Sequence, residues 1–578
     1  MKLLKTYLHG YEKESILAPL FKLLEAFFDL LVPLVIAQII DVGLKERNLP
    51  KIWGQIGILL LLAILGLAAA ISAQYFAAKA SVGFATKLRQ ATFDHIQGLS
   101  YTALDNTSQS TLITRLTSDI NRVQDGLNLA LRLLLRSPFV VFGSMIMAFT
   151  INVKAALIFV VAIPVLSLVV FGIMLVSIPL FKKVQFKLDR ITQATTENLT
   201  GVRVIRAFRK EQAEVADFDQ KNQDLTNLNL FVGRLSAAMN PLTYALINIA
   251  TIVLIYQGAI QVNLGSMQQG QVVALYNYMA QMIIELIKLA SLIITINQAI
   301  ACGQRVDKVL AIPAQAAVTD YGTATKLADS SVEFDQVSFT YDQAGAPSLS
   351  NVSLTAKPGQ TIGIIGGTGS GKSTLINLIP RFYDASQGQV KVGGRPVQDY
   401  APGALVKAIG VVPQKAQLFA GSIRDNLQLG RAKASDDELW EALSVAQAKD
   451  VVAAKPGQLD FKLEQGGRNL SGGQKQRLTI ARALVTHPQI LLLDDSASAL
   501  DFATDANLRQ AIHNLSGNLT TFIVSQRAAS IMQADQILVL SDGQVAGLGG
   551  HEQLLATCPV YQEIFYSQFP EKRKPVQG

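Results

Sequence analysis

Cysteine is nearly absent from the chain. Only Cys302 and Cys558 occur among 578 residues. They lie in different parts of the sequence, so neither a disulfide framework nor a thiolate metal cluster is implied. Charge is also scarce: 16% of residues are Asp, Glu, Lys or Arg, against 50% apolar, and mean hydropathy is +0.30. That balance excludes an ordinary soluble protein of this size. The start, Met1-Lys2-Leu3-Leu4-Lys5-Thr6-Tyr7-Leu8, is basic, but its apolar stretch is short and no small-residue cleavage pattern follows. It reads as an interfacial amphipathic helix over 1–15, not as a signal peptide. There is no internal repeat and no low-complexity tract.

What the chain has in quantity is long apolar runs. Six reach the roughly 20 residues a bilayer requires, near 16–41, 54–78, 127–150, 155–178, 236–260 and 271–298. The links at 42–53, 151–154 and 261–270 are short. Those at 79–126 and 179–235 are long, polar and periodic, with few Gly or Pro residues to break a helix. At about 1.5 Å per residue such segments project tens of Å beyond a bilayer. The net charge of +8 sits largely between apolar runs, as Lys182, Lys183, Lys187, Arg190, Arg203, Arg206, Arg209 and Lys210 illustrate. That excess places the second long link, and with it the N-terminus, in the cytosol, and it makes nucleic acid no partner.

Composition shifts after the sixth run. Ile312-Pro313-Ala314 ends a helical stretch, and a small, polar tract over 313–330 predicts a linker. From Ser331 short aliphatic and β-branched runs alternate with helical segments, which indicates an α/β domain over 331–565. The end, 566–578, reads as a solvated tail.

The α/β region carries chemistry. Gly366-Gly367-Thr368-Gly369-Ser370-Gly371-Lys372-Ser373-Thr374 follows the apolar run Thr361–Ile365 and precedes a helical pattern. Its glycines let backbone N–H groups face phosphates, Lys372 reaches the β/γ-phosphates and the Ser373 hydroxyl ligates Mg²⁺. Ile490-Leu491-Leu492-Leu493-Asp494 is the strand-plus-aspartate that anchors that ion in P-loop ATPases. ATP and Mg²⁺ are the cofactors this pair predicts.

Further stretches are legible through a family resemblance. Leu470-Ser471-Gly472-Gly473-Gln474, opening a helical run, resembles the signature motif of ABC ATPases. Gln414 in Val411-Val412-Pro413-Gln414 resembles the Q-loop glutamine that touches Mg²⁺ and the attacking water. Ser498-Ala499-Leu500-Asp501 resembles the D-loop, which lies along the interface between two such domains. Tyr341 resembles the aromatic that stacks on adenine, although a tyrosine at a strand end is also simply a packed residue. Upstream, Glu25–Leu34 with Ile39-Ile40-Asp41 looks like the first helix of type I ABC exporters, and Glu197–Phe208 like their second intracellular loop.

The resemblance implies a multidomain membrane protein: a six-helix type I ABC exporter transmembrane domain over 16–312, then an α/β P-loop ABC ATPase domain. It is multi-pass in the cell membrane, with the ATPase domain cytoplasmic. Short helices near Ser100–Ser108 and Phe208–Glu214 are expected to dock on the ATPase domains. Two positions depart from the family. Where it has a catalytic glutamate this chain has Asp495, one methylene shorter, and where it has a switch histidine this chain has Gln526. His513 and His551, the histidines after Asp494, cannot be slid into the switch position. The departures resemble the degenerate-site half of heterodimeric bacterial multidrug exporters. A second half-transporter with the consensus Glu and His is then the expected partner, and the substrates are small hydrophobic or cationic compounds. The alternatives are that Asp495 and Gln526 are adequate substitutes, that the chain is a lipid or peptide exporter on the same fold, or that it is a membrane-anchored ATP sensor with no transport.

Glu25, Asp29, Arg132, Arg136, Glu285 and Lys288 lie inside apolar runs. A charge at the bilayer centre costs at least about 2.5–3.5 kcal/mol, so each must face protein or a wet cavity. Glu25 and Asp29 are candidates for a cation-attracting substrate cavity, or else for pairing between helices. Glu285 and Lys288, one helical turn apart, are expected to pair.

Overall fold

The computed structural model describes residues 2–314, 321–342, 344–515 and 518–572. The expected linker and tail therefore fall partly outside the described residues. The chain divides into two compact units, one of residues 1–97 and 110–311, the other of 98–109 and 312–578.

The first unit holds six helices long and apolar enough to cross a membrane: Glu12–Leu44, Leu49–Gln97, Gln109–Ile151, Val153–Ala207, Glu211–Asn263 and Gln269–Leu310. Each contains one of the six apolar runs. The 55 residues of Val153–Ala207 amount to about 80 Å, well beyond a hydrocarbon core of about 30 Å. Small side chains bring neighbours together. Ala69, Ala73, Ala77 and Ala80 form a buried stripe on the second helix, and Phe21 stacks on Phe76 at 5.8 Å. Close approach of this kind stabilises helix pairs where burial from water contributes little. Large apolar side chains such as Leu60, Leu67, Leu168 and Ile252 remain on the outside.

Two local features differ from expectation. The third helix is interrupted at Leu134–Leu135, between Ile120–Leu133 and Arg136–Ile151. The second long link contains no separate short helix near Phe208–Glu214. Instead Val153–Ala207 turns tightly through Phe208–Lys210, with Arg209 at φ +53, into the helix that begins at Glu211. Glu211 and Glu214 occupy its first turn, where the helix dipole favours acidic residues, so the chain continues directly into the long helix.

The second unit is built on a six-stranded sheet in the order Gln544–Gly549, Gln536–Ser541, Thr361–Gly366, Thr520–Val524, Ile490–Asp494, Ile409–Val412. All neighbours are parallel except the first pair. A central parallel strand is covered on both faces, and this accounts for the four consecutive aliphatics before Asp494. Ile490 and Leu492 pack into one core, with Ile362, Ile364 and Phe522. Leu491 and Leu493 pack into the other, with Val412, Leu478 and Val539. A four-stranded antiparallel sheet of Leu349–Ala356, Val332–Phe339, Gln387–Val392 and Arg395–Pro396 adjoins the first core.

Candidate functional site

The parallel strands end on one side of the sheet, where Gly366, Asp494 and Val524 bring three loops together. After Gly366 the chain turns into the helix Lys372–Leu378. Gly371 adopts φ +91, and a Cβ there would lie 2.5 Å from the Ser348 carbonyl, so glycine is required both for the turn and for the close approach. Lys372 is buried in the loop and donates to the carbonyls of Gly366 at 3.0 Å and Gly367 at 2.6 Å. Burial holds its ammonium below the usual lysine range, while Asp495 and Asp494 pull the other way. A phosphate oxygen entering this loop meets a desolvated cation and the N-terminus of a helix.

Ser373, in the first turn of that helix, donates to Asp494 Oδ1 at 2.9 Å. Burial pushes the Asp494 carboxyl up, and the charge of Asp495 adds to this against the Ser373 hydrogen bond. One hydroxyl and one carboxylate fit Mg²⁺, which prefers hard oxygens and commonly completes its shell with water and substrate phosphates. Asp495 follows with φ +44, a left-handed conformation that Asp tolerates better than most residues. Its N–H donates to the Val524 carbonyl at 3.0 Å. Its Oδ2 is 3.4 Å from Gln414 Nε2, a long contact. Gln414, Asp494 and Asp495 thus meet beside the P-loop.

Gln526 is exposed at the end of the strand Thr520–Val524, and its carbonyl accepts from Gln568 Nε2 at 2.8 Å. Tyr341 is half-buried, and its hydroxyl lies 3.1 Å from the Thr374 hydroxyl at the end of the P-loop. The remaining P-loop residues, Gly367, Thr368, Gly369 and Ser370, form the turn between strand and helix.

The signature segment is a second surface. Leu470 is buried, and Ser471 is the exposed N-cap of the helix Gly472–Leu484. Ser471 Oγ accepts from the Gln474 N–H at 3.3 Å while Gln474 Oε1 accepts from the Ser471 N–H at 3.1 Å. This reciprocal cap fixes the turn and leaves the helix N-terminus facing outward. A Cβ on Gly473 would lie 3.0 Å from the Ala499 carbonyl, so the signature helix starts directly against the D-loop.

One residue that sequence reasoning passed over completes the region. Arg527 donates to the carbonyls of Ala497 at 3.3 Å, Leu500 at 3.0 Å and Ser498 at 3.2 Å, and its guanidinium lies 5.0 Å from the Phe502 ring. It thus ties together three carbonyls of the turn Ala497–Leu500. The available signal was a cation immediately after Gln526.

In the first unit, Arg136 is the centre of an ion network. It bonds Glu285, reaches Asp29 at 3.0 Å and lies 3.9 Å from Glu25. Ser137 donates to Glu285 at 2.8 Å, Lys288 lies 3.0 Å from Glu285, and Lys22 lies 2.6 Å from Glu25. Glu285 and Lys288 do pair, but as part of a cluster that joins three helices. The half-buried Glu25 is paired with Lys22. Asp29 keeps 44% of its side chain exposed and, with Glu25, lines a cavity of about 460 Å³ alongside Phe28, Leu59, Ala63 and Gly66.

Comparison with known proteins agrees with this anatomy. Residues 15–286 match the family model of the ABC transporter transmembrane region, and residues 349–498 match the ABC transporter family model. The uncharacterized ABC transporter ATP-binding protein YfiB of Bacillus subtilis is 37% identical over 564 residues, 98% of each chain. An ATP-dependent lipid A-core flippase of Syntrophus aciditrophicus is 30% identical over 488 residues, 84% of this chain and 80% of that one. The structure of a bacterial Atm1-family ABC exporter with ATP bound superposes with a TM-score of 0.80 at 22% identity, covering 96% of this chain and 99% of that one. At that identity the likeness speaks for the fold.

Proposed function

The chain belongs to the ABC transporter family, and from that premise we propose that it is the degenerate-site half of a heterodimeric exporter. It is an ATP-driven half-transporter with six membrane helices and one ATPase domain. Its own site would hold ATP through Lys372 and the P-loop, with Tyr341 against the adenine, and Ser373, Asp494 and Gln414 are the residues that would hold Mg²⁺. The observation that carries the reading is the pairing of an intact signature turn, Ser471–Gln474, with a water-orienting position that holds only Asp495 and a switch position that holds Gln526. Asp495 is short for its task. Gln526 cannot exchange a proton near neutral pH as an imidazole can. The signature turn, capped and exposed, completes the site of a partner whose Glu and His are intact, and hydrolysis takes place there.

Substrates on this reading are hydrophobic or cationic compounds, drawn from the bilayer toward the cavity beside Asp29. A second reading, a lipid exporter, is favoured by the resemblance to lipid A-core flippases. Purified alone, the chain is expected to bind ATP and hydrolyse it slowly, and its partner should raise turnover at least about tenfold. Fast turnover by a verified homodimer refutes the degenerate site. Efflux of a lipophilic cationic dye, set against translocation of a labelled phospholipid in the same vesicles, separates the two substrate readings.

A further inference from the structure

The ATPase unit includes the short helix Tyr101–Asn106, whose N-cap Ser100 accepts from the Ala103 N–H at 3.2 Å. Its contacts to the body of that unit are unusually aromatic. Tyr101 stacks on Phe382 with ring centroids 4.4 Å apart and lies 6.1 Å from the Tyr383 ring. Tyr383 in turn stands edge-on to Tyr341 at 5.4 Å and lies 5.6 Å from Phe339. The Tyr383 hydroxyl donates to Asp105 at 2.6 Å. One side chain therefore touches both the tyrosine proposed to receive adenine and the short helix, by its ring and by its hydroxyl respectively.

We propose that Tyr383 is a positioning residue that makes the seating of the helix Tyr101–Asn106 depend on adenine, not on the phosphates. Adenine stacking on Tyr341 fixes that ring, and the edge contact then restricts Tyr383 to the rotamer in which its hydroxyl meets Asp105. Without the base, Tyr341 is held by the Thr374 hydroxyl at 3.1 Å and the Phe339 ring alone, so Tyr383 is less restricted and its hydroxyl meets Asp105 less often. Burial and the Asp105 hydrogen bond both push the phenol well above the usual tyrosine range, so it stays a donor throughout the accessible pH range. By sequence the helix continues into Gln109–Ile151 on one side and Leu49–Gln97 on the other, so its seating is felt by two spanning helices.

The inference rests on Tyr341 receiving the adenine, and the test separates the two. Hydrogen exchange of peptides within 98–109 is followed in the full-length chain in lipid nanodiscs, apo, with saturating MgATP and with magnesium tripolyphosphate. ATP should slow exchange there about fivefold, the worth of one net hydrogen bond, and tripolyphosphate should not. Tyr383→Phe keeps the ring and should abolish the ATP-dependent slowing. Asp105→Asn, on the exposed helix, should reduce it, and the double variant should be no worse than Tyr383→Phe. Equal slowing by ATP and tripolyphosphate, or by ATP in the wild type and in Tyr383→Phe, overturns the proposal. ATP affinity of Tyr341→Ala is measured separately. An unchanged Kd there overturns the adenine reading itself.

Discussion

Two substitutions in this one chain should have very unequal consequences for ATP turnover by the assembled transporter. Asp495→Asn removes the carboxylate that faces Gln414 at 3.4 Å. An error of about 1 Å in placing a catalytic group costs on the order of 100-fold in rate. A site with a base one methylene short therefore supplies about 1% of the total, and its loss should fall within assay error. Ser471→Arg acts on an exposed helix N-cap whose bonds are the 3.3 Å and 3.1 Å contacts with Gln474. Losing that cap costs about 1 kcal/mol, which the helix tolerates because Leu478, Ile480, Ala481 and Leu484 remain buried. On the proposed pairing, what it destroys is the surface offered to the partner's γ-phosphate. Removing one such preorganised donor costs about 100- to 1,000-fold, and the bulk of arginine adds to this by holding the two domains apart. The assay is phosphate release at saturating MgATP by the purified complex, with ATP binding at each site measured in parallel. Equal damage from the two substitutions would show Asp495 to be a working base, and the asymmetric mechanism would be wrong.

Three other outcomes are expected. Arg136→Ala should lower the apparent melting temperature of the detergent-solubilised protein, because Glu285 stays buried with only Lys288 and Ser137; uncovering a buried charge costs about 3–5 kcal/mol, and an unchanged transition would show the network to be idle. Asp29→Asn should weaken efflux of cationic dyes more than of neutral ones, whereas equal loss would assign Asp29 to helix pairing alone. Because the Asp494 carboxyl is raised, its folded form binds a proton more tightly than an unfolded one. Its contribution to stability is thus present at low pH and lost as pH rises through the raised value, while Mg²⁺ affinity runs the opposite way. Magnesium-dependent ATP binding should therefore start to weaken, as pH falls, above the ordinary carboxylate range. Weakening confined to that ordinary range would contradict the burial effect.

The six spanning helices and the ATPase domain were legible because each rests on a local pattern: apolar length for the helices, and aliphatic strand, glycine turn and helix for the P-loop. Even the four aliphatics before Asp494 report a strand covered on both faces. What was not legible depends on residues far apart in the chain. Nothing near Asp105 says that Tyr383, 278 positions on, will meet its carboxylate. Glu25, Asp29 and Glu285 announced themselves as costly charges, but that Arg136 serves all three is a property of helix packing. The interruption at Leu134–Leu135 carries no glycine or proline. The helix restarts at Arg136 itself, the centre of the ion network. Likewise Phe208–Lys210 resolves as a turn because both flanking segments are good helices and neither yields residues to a third.

The two departures from the family pattern and the intact signature turn are not mechanically separate. Gly473 starts the signature helix against the Ala499 carbonyl. Ser498 Oγ donates to the Asp495 carbonyl at 2.8 Å. Arg527, next to Gln526, holds the carbonyls of Ala497, Ser498 and Leu500. The Ser498–Asp501 loop is thus the common neighbour of Asp495, of the residue next to Gln526 and of the Ser471–Gln474 turn. These contacts are made through backbone carbonyls, through Arg527 and through a glycine, and none depends on the side chain of Asp495 or of Gln526. Both side chains can therefore change without deforming the D-loop or the signature turn. A chain that keeps this backbone-held frame can lose its own hydrolysis and still present a fully formed surface to a partner's nucleotide.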